Sequence, residues 1–188
     1  MKGMGLALLR RLVLPVLLAG AASAQAGEYK TALQDAELHC LALNIYHEAR
    51  GEPFEGKLAV GHVVLNRVAD RRFPRGICTV IRQGGESRLH RCHFSWWCDG
   101  RSDRPREAGA WRESVMVAQL IQAGLTRDPT DGALWYHAGY VSPGWAERVV
   151  RRAKIGGHIF YIADEETRRK AGAGGARPTI RAYGKPDA

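Results

Sequence analysis

Apolar side chains recur at helical spacing in three segments of the chain. The first segment follows Asp35, which suits a helix N-cap, and ends at Gly51, which favours a stop. Its apolar stripe consists of Leu38, Leu41, Ala42, Ile45 and Ala49. The same spacing predicts two more helices, over residues 55–69 and 106–123, and Gly124 is the expected stop of the last one. These segments predict a mostly helical protein.

Shorter apolar runs lie between and after these helices. Residues 79–83 and 93–97 are predicted as short strands with a Gly-Gly pair between them, which predicts a small β-hairpin. Residues 133–137 and 158–162 are predicted to be extended, and a last helix is predicted over residues 145–154. We therefore expect an α+β fold that is mostly helical and contains a small β-hairpin.

The two ends of the chain differ in composition from the single domain that we expect over residues 35–163. Residues 1–24 begin with basic residues, continue with an apolar run and end on a small-x-small sequence at Ala24, which predicts a signal peptide. The apolar run falls short of the roughly 20 residues of a membrane-spanning helix, which disfavours an uncleaved anchor. Residues 25–34 are a short lead-in, and residues 164–188, rich in Gly, Ala, Arg and Lys, are predicted to be a disordered basic tail. We expect a periplasmic or secreted protein with no stable membrane insertion after signal cleavage.

Four cysteines lie in the predicted mature chain: Cys40, Cys78, Cys92 and Cys98. An even number of cysteines in an exported protein predicts two disulfides, but four cysteines permit three pairings and the sequence does not choose among them. The predicted hairpin would bring Cys78 opposite Cys98, which would leave the other two cysteines to pair with each other.

The formal net charge of +9 attracts polyanions, which include nucleic acid, acidic lipid and carboxylate-bearing cell walls. The predicted export signal and the lack of a basic-aromatic motif argue against nucleic acid. A zinc site is also disfavoured, because the sequence after His47 lacks the second histidine of the zinc-protease motif, and Cys92 and Cys98 are too far apart for a zinc clip. We therefore expect no metal and no cofactor.

Glu48 is the residue whose predicted position suggests chemistry. At about 100° per residue, it lies beside Leu41 at the edge of the buried stripe, in the last turn of the first helix. Partial burial and the negative end of the helix dipole both oppose ionisation, and a carboxyl group that stays protonated near neutral pH can serve as a general acid. The alternative is an ordinary helical glutamate paired with Arg50, and the pattern alone favours that alternative.

An ordered series of sequence blocks resembles the cell-wall hydrolases related to the spore cortex-lytic enzyme SleB. The opening block is LALNIYHEARGEP at residues 41–53, and it contains Glu48. The later blocks are GKLAV (56–60), VLNRV (64–68), FP (73–74), CTVIRQ (78–83), CHFSW (92–96), CDG (98–100), ALWYHA (133–138), PGW (143–145) and IGGHIFY (155–161). The resemblance covers nearly all of the predicted domain, and so many blocks in order make it specific.

The resemblance implies a lysozyme-like fold and cleavage of the glycosidic bond after N-acetylmuramic acid in peptidoglycan, as a lytic transglycosylase. It places the catalytic glutamate at Glu48. It also implies a glycan cleft lined by Phe94, Ser95, Tyr136 and His137, and Gln83 is a further candidate for the same groove. The alternative interpretations are a solvent-facing serine for Ser95, a half-buried core aromatic for Tyr136 and a structural histidine for His137. We expect one or two of four tryptophans in the cleft: Trp96, Trp97, Trp135 and Trp145.

A single glutamate is enough for a lytic transglycosylase, because the C6 hydroxyl of the muramic acid itself attacks the anomeric carbon. Ordinary glycoside hydrolysis needs two carboxyl groups, and the candidates for a second one, Glu52, Glu55 and Asp99, suit capping, surface or turn roles better. The alternatives are a two-carboxylate muramidase-type hydrolase and a module that binds wall glycan without cutting it. In each case we expect a monomer that acts on the glycan strands of peptidoglycan.

Overall fold

The computed structural model describes residues 34–84 and 91–164. The predicted signal peptide, nearly all of the lead-in and all but the first residue of the predicted tail lie outside the described residues. The chain divides by its internal contacts into residues 1–36 and 37–188, and the core, the sheet and the cleft described below lie in the second unit. Within the described ranges, no helix combines the length and the apolarity that crossing a bilayer requires.

Four α-helices lie in the described part of the chain. They are α1 (residues 34–49), α2 (Phe54–Ala69), α3 (Ile77–Arg82) and α4 (Ala108–Gln122). The first, second and fourth confirm the predicted helices to within about two residues at each end. Asp35 lies inside α1, so its predicted role as the N-cap is wrong. As predicted, α4 stops at Gly124, where φ is 68° and the next N–H, from Leu125, reaches the Leu120 carbonyl at 3.0 Å.

Helices α1, α2 and α4 bury their apolar faces in one cluster. Leu41 and Ile45 of α1, Val64 of α2 and Ile121 of α4 are at most 1% exposed. Gly61 of α2 permits the close approach, because a Cβ at that position would lie 2.5 Å from the Cδ1 atom of Ile121. Burial of each side chain of this size contributes about 1.5–3 kcal/mol relative to its exposure. This cluster fixes the helix that carries Glu48.

In the described ranges, three strands form one antiparallel sheet in the order β1-β3-β2. They are β1 (Trp135–Ala138), β2 (Val150–Ile155) and β3 (His158–Ile162). Strands β1 and β3 confirm the two segments predicted to be extended. Phe160 of β3 is fully buried in a second cluster with Val60 and Val63 of α2 and Ala49, the last residue of α1. The sheet is therefore packed against the end of α1 that follows Glu48.

The hairpin predicted over residues 79–97 is wrong. Its first strand is the helix α3, and its second is largely a 3-10 turn at Ser95–Cys98. Ile77, Val80 and Ile81 are the buried residues of α3, and their spacing is helical rather than alternating. The predicted strand preference of these β-branched residues is overridden by packing in the helical core.

The helix predicted over residues 145–154 is also wrong. A short 3-10 turn at Ala146–Arg148 leads into the strand β2, which turns at Gly156 and pairs with β3. Gly156 has φ of 56°, a left-handed conformation that closes the turn readily only with glycine. The hairpin of the fold is therefore β2–β3, and its pairing outweighs the local helical pattern.

The disulfides join Cys40 to Cys78 and Cys92 to Cys98, which corrects the pairing that the predicted hairpin favoured. Because α3 replaces that hairpin, Cys78 faces α1 instead of Cys98. Glu37 of α1 strengthens the same junction by accepting the N–H groups of Ile77 and Cys78 at the start of α3. Closing a chain segment of 38 residues stabilises the fold by about 4 kcal/mol in the chain-entropy account.

Candidate active site

A cleft of about 390 Å³ lies where the end of α1 meets β1, β3 and the segment around residues 93–99. Five of the six residues predicted from the sequence line it: Glu48, Phe94, Ser95, Tyr136 and His137. The sixth, Gln83, follows α3 and is not among the lining residues. Its backbone carbonyl accepts the N–H of His93 at 3.0 Å, and its role in sugar binding stays a prediction.

Glu48 lies in the last turn of α1 and is partly buried, at the edge of the apolar stripe as the helical spacing predicted. Burial raises the pKa of its carboxyl group, whereas the hydrogen bond from Tyr136 and the positive charge of Arg67 act in the opposite direction. The alternative pairing with Arg50 is not observed, because the Arg50 Nε atom lies 3.0 Å from Glu107 Oε1. Burial therefore opposes the ionisation of Glu48, and its two polar neighbours favour it.

Tyr136 holds this carboxyl group from β1. Its hydroxyl donates to Glu48 Oε2 at 3.0 Å. Burial raises the pKa of the phenol well above its ordinary value, so the group remains a neutral donor through the neutral range. The ring also packs on Phe94 and Phe160, which belong to the two core clusters. Tyr136 is therefore a core aromatic, as the alternative interpretation had it, and also a hydrogen-bond partner of Glu48.

Arg67 is a cleft residue that the sequence reasoning missed. It is only 6% exposed, and its Nε donates to the Leu134 carbonyl at 2.7 Å. The guanidinium carbon lies 5.3 Å from the ring centre of Phe73 and 5.0 Å from that of Phe94. Within the described residues, its buried Nη1 has no hydrogen-bond partner. An arginine side chain keeps its charge even when buried, so this wall of the cleft carries a positive charge that favours an ionised Glu48.

His137 is fully engaged inside the protein. Its Nδ1 lies 2.9 Å from the Ala138 carbonyl oxygen, so Nδ1 carries the proton. Its Nε2 lies 2.7 Å from the Tyr161 hydroxyl and accepts from it in the neutral form. The structural interpretation of His137 therefore holds, although the residue also lines the cleft.

Exposure divides the remaining cleft residues. Ser95 is exposed, and Tyr140, also missed by the sequence reasoning, is 91% exposed. Phe94 is buried, as is Trp96, which donates from Nε1 to Asn44 Oδ1 at 3.0 Å. Of the four tryptophans considered above, Trp96 is the one that lines this cleft. His47, stacked on Trp96 at 4.6 Å between ring centres, lines it as well.

Of the three candidates for a second carboxylate, Asp99 lines the same cleft as Glu48. Its Oδ1 accepts the N–H of Arg101 at 2.8 Å, so its predicted turn role is confirmed. Glu52 accepts the N–H of Gly157 at 2.8 Å and serves the fold, and Glu55 is exposed in the first turn of α2. In the described ranges, no three His, Cys, Asp or Glu side chains are grouped as a metal site would need.

The sequence matches the profile of the cell wall hydrolase family over residues 51–161. The chain belongs to the cell wall hydrolase family. The matched segment carries the cleft residues of β1 and β3 and begins after Glu48, so the assignment of Glu48 depends on the geometry above and on the resemblance of its own block.

Spore cortex-lytic enzymes are among the similar proteins. The chain is 32% identical over 130 residues to that of Oceanobacillus iheyensis and 33% identical over 128 residues to that of Bacillus subtilis. Each alignment covers 66% of this chain, but only 41% of the first relative and 37% of the second. The chain thus spans less than half the length of these relatives.

Two solved structures share the fold. One is the catalytic domain of the germination-specific lytic transglycosylase SleB from Bacillus anthracis, with a TM-score of 0.52, 30% identity, and coverage of 67% of this chain and 93% of that domain. The other is the catalytic domain of the Bacillus cereus SleB protein, with a TM-score of 0.50, 30% identity, and coverage of 67% and 89%. The predicted mostly helical α+β, lysozyme-like fold is confirmed.

Proposed function

We propose that the protein is an exported enzyme that cuts the glycan strand of peptidoglycan at N-acetylmuramic acid, as a lytic transglycosylase with Glu48 as its single acid/base. One observation carries the proposal. Glu48 lies on the wall of the cleft, its pKa is raised by burial, and it accepts a hydrogen bond from Tyr136 at 3.0 Å. Membership of the cell wall hydrolase family and the likeness to a SleB catalytic domain support it.

The reaction needs one carboxyl group in two protonation states. Protonated Glu48 donates its proton to the glycosidic oxygen as the bond from C1 to that oxygen breaks, which leaves positive charge on the sugar ring. The C6 hydroxyl of the same muramic acid then attacks C1 and returns its proton to Glu48. The product is a 1,6-anhydromuramic end and a free hydroxyl on the leaving strand, with no water consumed.

The neighbours of Glu48 suit both states. Burial favours the protonated form that begins the reaction. The Tyr136 hydroxyl and the fixed charge of Arg67 stabilise the carboxylate that exists after proton donation. The wall around Glu48 thus lowers the energy of the charge that develops in the transition state, and Glu48 still regains a proton at the end.

The substitution Glu48→Gln tests the proposal. Purified sacculi treated with the unmodified protein are expected to release muropeptides with 1,6-anhydromuramic ends, which mass spectrometry detects. The Glu48→Gln variant is expected to bind sacculi with similar affinity but to release no product. Release that survives the substitution refutes the role of Glu48. Binding by the unmodified protein without release favours the glycan-binding module.

The two-carboxylate hydrolase is the second candidate, and the place of Asp99 in the same cleft favours it. A hydrolase leaves reducing ends, because water rather than the C6 hydroxyl attacks C1. Asp99→Asn is expected to change the rate of release by less than about threefold if Glu48 acts alone. A loss comparable to that of Glu48→Gln, together with reducing ends, supports the hydrolase instead.

The export of the protein is part of the proposal. Two disulfides suit an oxidising compartment, where such bonds form and persist. Residues 1–24 act as the signal peptide, and residues 25–34 lead into the domain of residues 35–163. Residues 164–188 are the basic tail. The protein acts as a monomer. N-terminal sequencing of the exported protein is expected to begin at Gln25, or at Gly27 if the second match at Ala24-Gln25-Ala26 is used, and retention of Met1 contradicts the cleavage.

A further inference from the structure

His158 faces the cleft at the start of β3 and has no role in the mechanism above. The residue is 9% exposed and lines the cleft together with Glu48. Its ring meets the ring of Tyr136 edge-on, with 5.2 Å between the ring centres. Because Tyr136 donates to Glu48, only one side chain separates His158 from the proposed acid/base.

Glu52 lies behind His158, in the connection between α1 and α2. Its Oε1 is 3.6 Å from the buried Nδ1 of His158, a distance too long for a hydrogen bond but short enough for a strong electrostatic effect. Its Oε2 accepts the N–H of Gly157 at 2.8 Å. Its backbone carbonyl accepts from Lys57 Nζ, also at 2.8 Å. Both ends of Glu52 are therefore held in place.

The turn between β2 and β3 is built around this carboxylate. A Cβ on Gly156 would lie 1.9 Å from Glu52 Oε2, and a Cβ on Gly157 would lie 2.9 Å from Oε1. Neither position accepts a side chain without displacing the carboxylate or the turn. The two glycines thus bring the backbone into direct contact with Glu52 and fix its distance from His158.

The charges around His158 select one tautomer. The titratable groups that face it are Glu52 from the α1–α2 connection and His137 and Tyr136 from β1. Burial lowers the pKa of His158, the charge of Glu52 raises it and His137 lowers it, so the ring is neutral at neutral pH. The carboxylate beside Nδ1 favours the proton on that nitrogen. Nε2 is then an unprotonated acceptor. Because Nδ1 is buried and lies beside Glu52, we infer that Nε2 is the ring nitrogen that faces the cleft.

We propose that His158 is a further substrate-binding residue, which accepts a hydrogen bond at Nε2 from a hydroxyl or amide N–H of an amino sugar, and that Glu52 is the positioning residue that keeps its proton on Nδ1. The proposal deepens the function proposed above and rests on it, because the donor is a sugar of the glycan strand. It involves no proton transfer: His158 holds the sugar, and Glu48 performs the chemistry.

Nitrogen NMR of the full-length protein tests the tautomer. With ¹⁵N-labelled histidine, the unmodified protein is expected to show His158 with a protonated Nδ1 and a bare Nε2, and His158→Gln identifies the signals. In Glu52→Gln the proton is expected to redistribute towards Nε2, and the midpoint of the His158 titration is expected to fall, because the carboxylate that favours the imidazolium is gone. A proton on Nε2 in the unmodified protein overturns the proposal.

Binding measured without cleavage tests the contact itself. In a Glu48→Gln background, adding His158→Phe is expected to weaken binding to purified sacculi by about tenfold, the value of one good hydrogen bond. Adding His158→Gln is expected to retain most of the binding, since the Gln side-chain oxygen can accept in place of Nε2. His39→Gln, on α1 and outside the cleft lining, is the matched control and is expected to leave binding unchanged.

The outcomes separate the two proposals. Equal binding by the His158→Phe and His158→Gln variants and their parent overturns the role of His158 and leaves the role of Glu48 intact. Product release by the Glu48→Gln parent overturns the proposed mechanism, and the tautomer measurement then decides the role of His158. Thermal unfolding of each variant is measured alongside, and if His158→Phe does not fold, the tautomer measurement decides.

Discussion

The cleft has an inner wall and an outer rim that differ in how their side chains are held. The inner wall consists of Glu48, Tyr136 and Arg67, which are buried or partly buried and coupled by a hydrogen bond and by charge. The outer rim consists of Ser95 and Tyr140, which are exposed. Buried groups in a low-dielectric setting influence one another strongly, whereas exposed groups are screened and act alone. We therefore expect the inner wall to govern the chemical step and the outer rim to govern binding.

The largest effect is expected on stability, from Arg67→Met. The substitution leaves the buried Leu134 carbonyl without its donor and removes the charge that lies against Phe73 and Phe94. The free energy of unfolding is expected to fall by about 3 kcal/mol. Urea unfolding followed by tryptophan fluorescence measures it. Arg71→Met, at an exposed position just after α2, is the control, and a similar loss there contradicts the special place of Arg67.

Tyr136→Phe is expected to act on the chemical step. Without the phenol, the carboxylate formed by proton donation loses a donor worth about 1.5–3 kcal/mol, and kcat is expected to fall by roughly 10–100-fold. The hydrogen bond from Tyr136 lowers the pKa of Glu48, so its loss raises that pKa further. Glu48 then stays protonated to higher pH, and the alkaline limb of the pH–rate profile shifts to higher pH.

Tyr161→Phe is the matched control for that measurement. Its hydroxyl contacts His137 rather than Glu48, so the alkaline limb is expected to stay in place. If both substitutions shift the alkaline limb of the pH–rate profile equally, the shift does not come from the hydrogen bond between Tyr136 and Glu48. That outcome contradicts the role given to the inner wall.

The smallest effect is expected on the outer rim, from Tyr140→Ala. An exposed aromatic ring offers a surface on which a sugar ring can pack, and its removal is expected to raise KM for soluble glycan strands by about fivefold with kcat unchanged. Combined with Tyr136→Phe, the two free-energy changes are expected to add within about 0.5 kcal/mol. A fall in kcat, or strong coupling, shows that the outer rim takes part in the chemical step.

The helical half of the fold could be predicted because its information is local. The spacing of Leu41 and Ile45 predicted the buried face of α1, and the same spacing placed Glu48 at its edge. Gly124 marked the end of α4 through a backbone conformation that glycine adopts readily. In each case neighbouring residues determine the structure, so a single sequence is sufficient.

The errors arose where distant residues decide the structure. Residues 79–83 favour a strand locally, but a disulfide and the Glu37 carboxylate hold α3 against α1. Strand β2 depends on pairing with β3. Nothing at position 67 itself predicted a buried arginine, because the residue type does not distinguish a buried arginine from an exposed one. The signal that could have found it is the sequence of α2, where Ala59, Val60, Val63, Val64, Leu65 and Val68 leave no continuous polar face and so predict a helix surrounded by protein. Residues 59–67 are indeed all buried.

The disulfide from Cys40 to Cys78 closes a covalent ring, and that ring contains Glu48, Glu52 and Arg67. If the protein is exported as proposed, it meets proteases, which cut exposed connections such as the one between α1 and α2. After a single cut inside the ring, the disulfide still links the two fragments covalently, so Glu48, Glu52 and Arg67 stay in one molecule. Reduction of the Cys40–Cys78 disulfide after such a cut would remove the covalent link between the two fragments. The Cys92–Cys98 disulfide gives no comparable protection, because it encloses only a short turn.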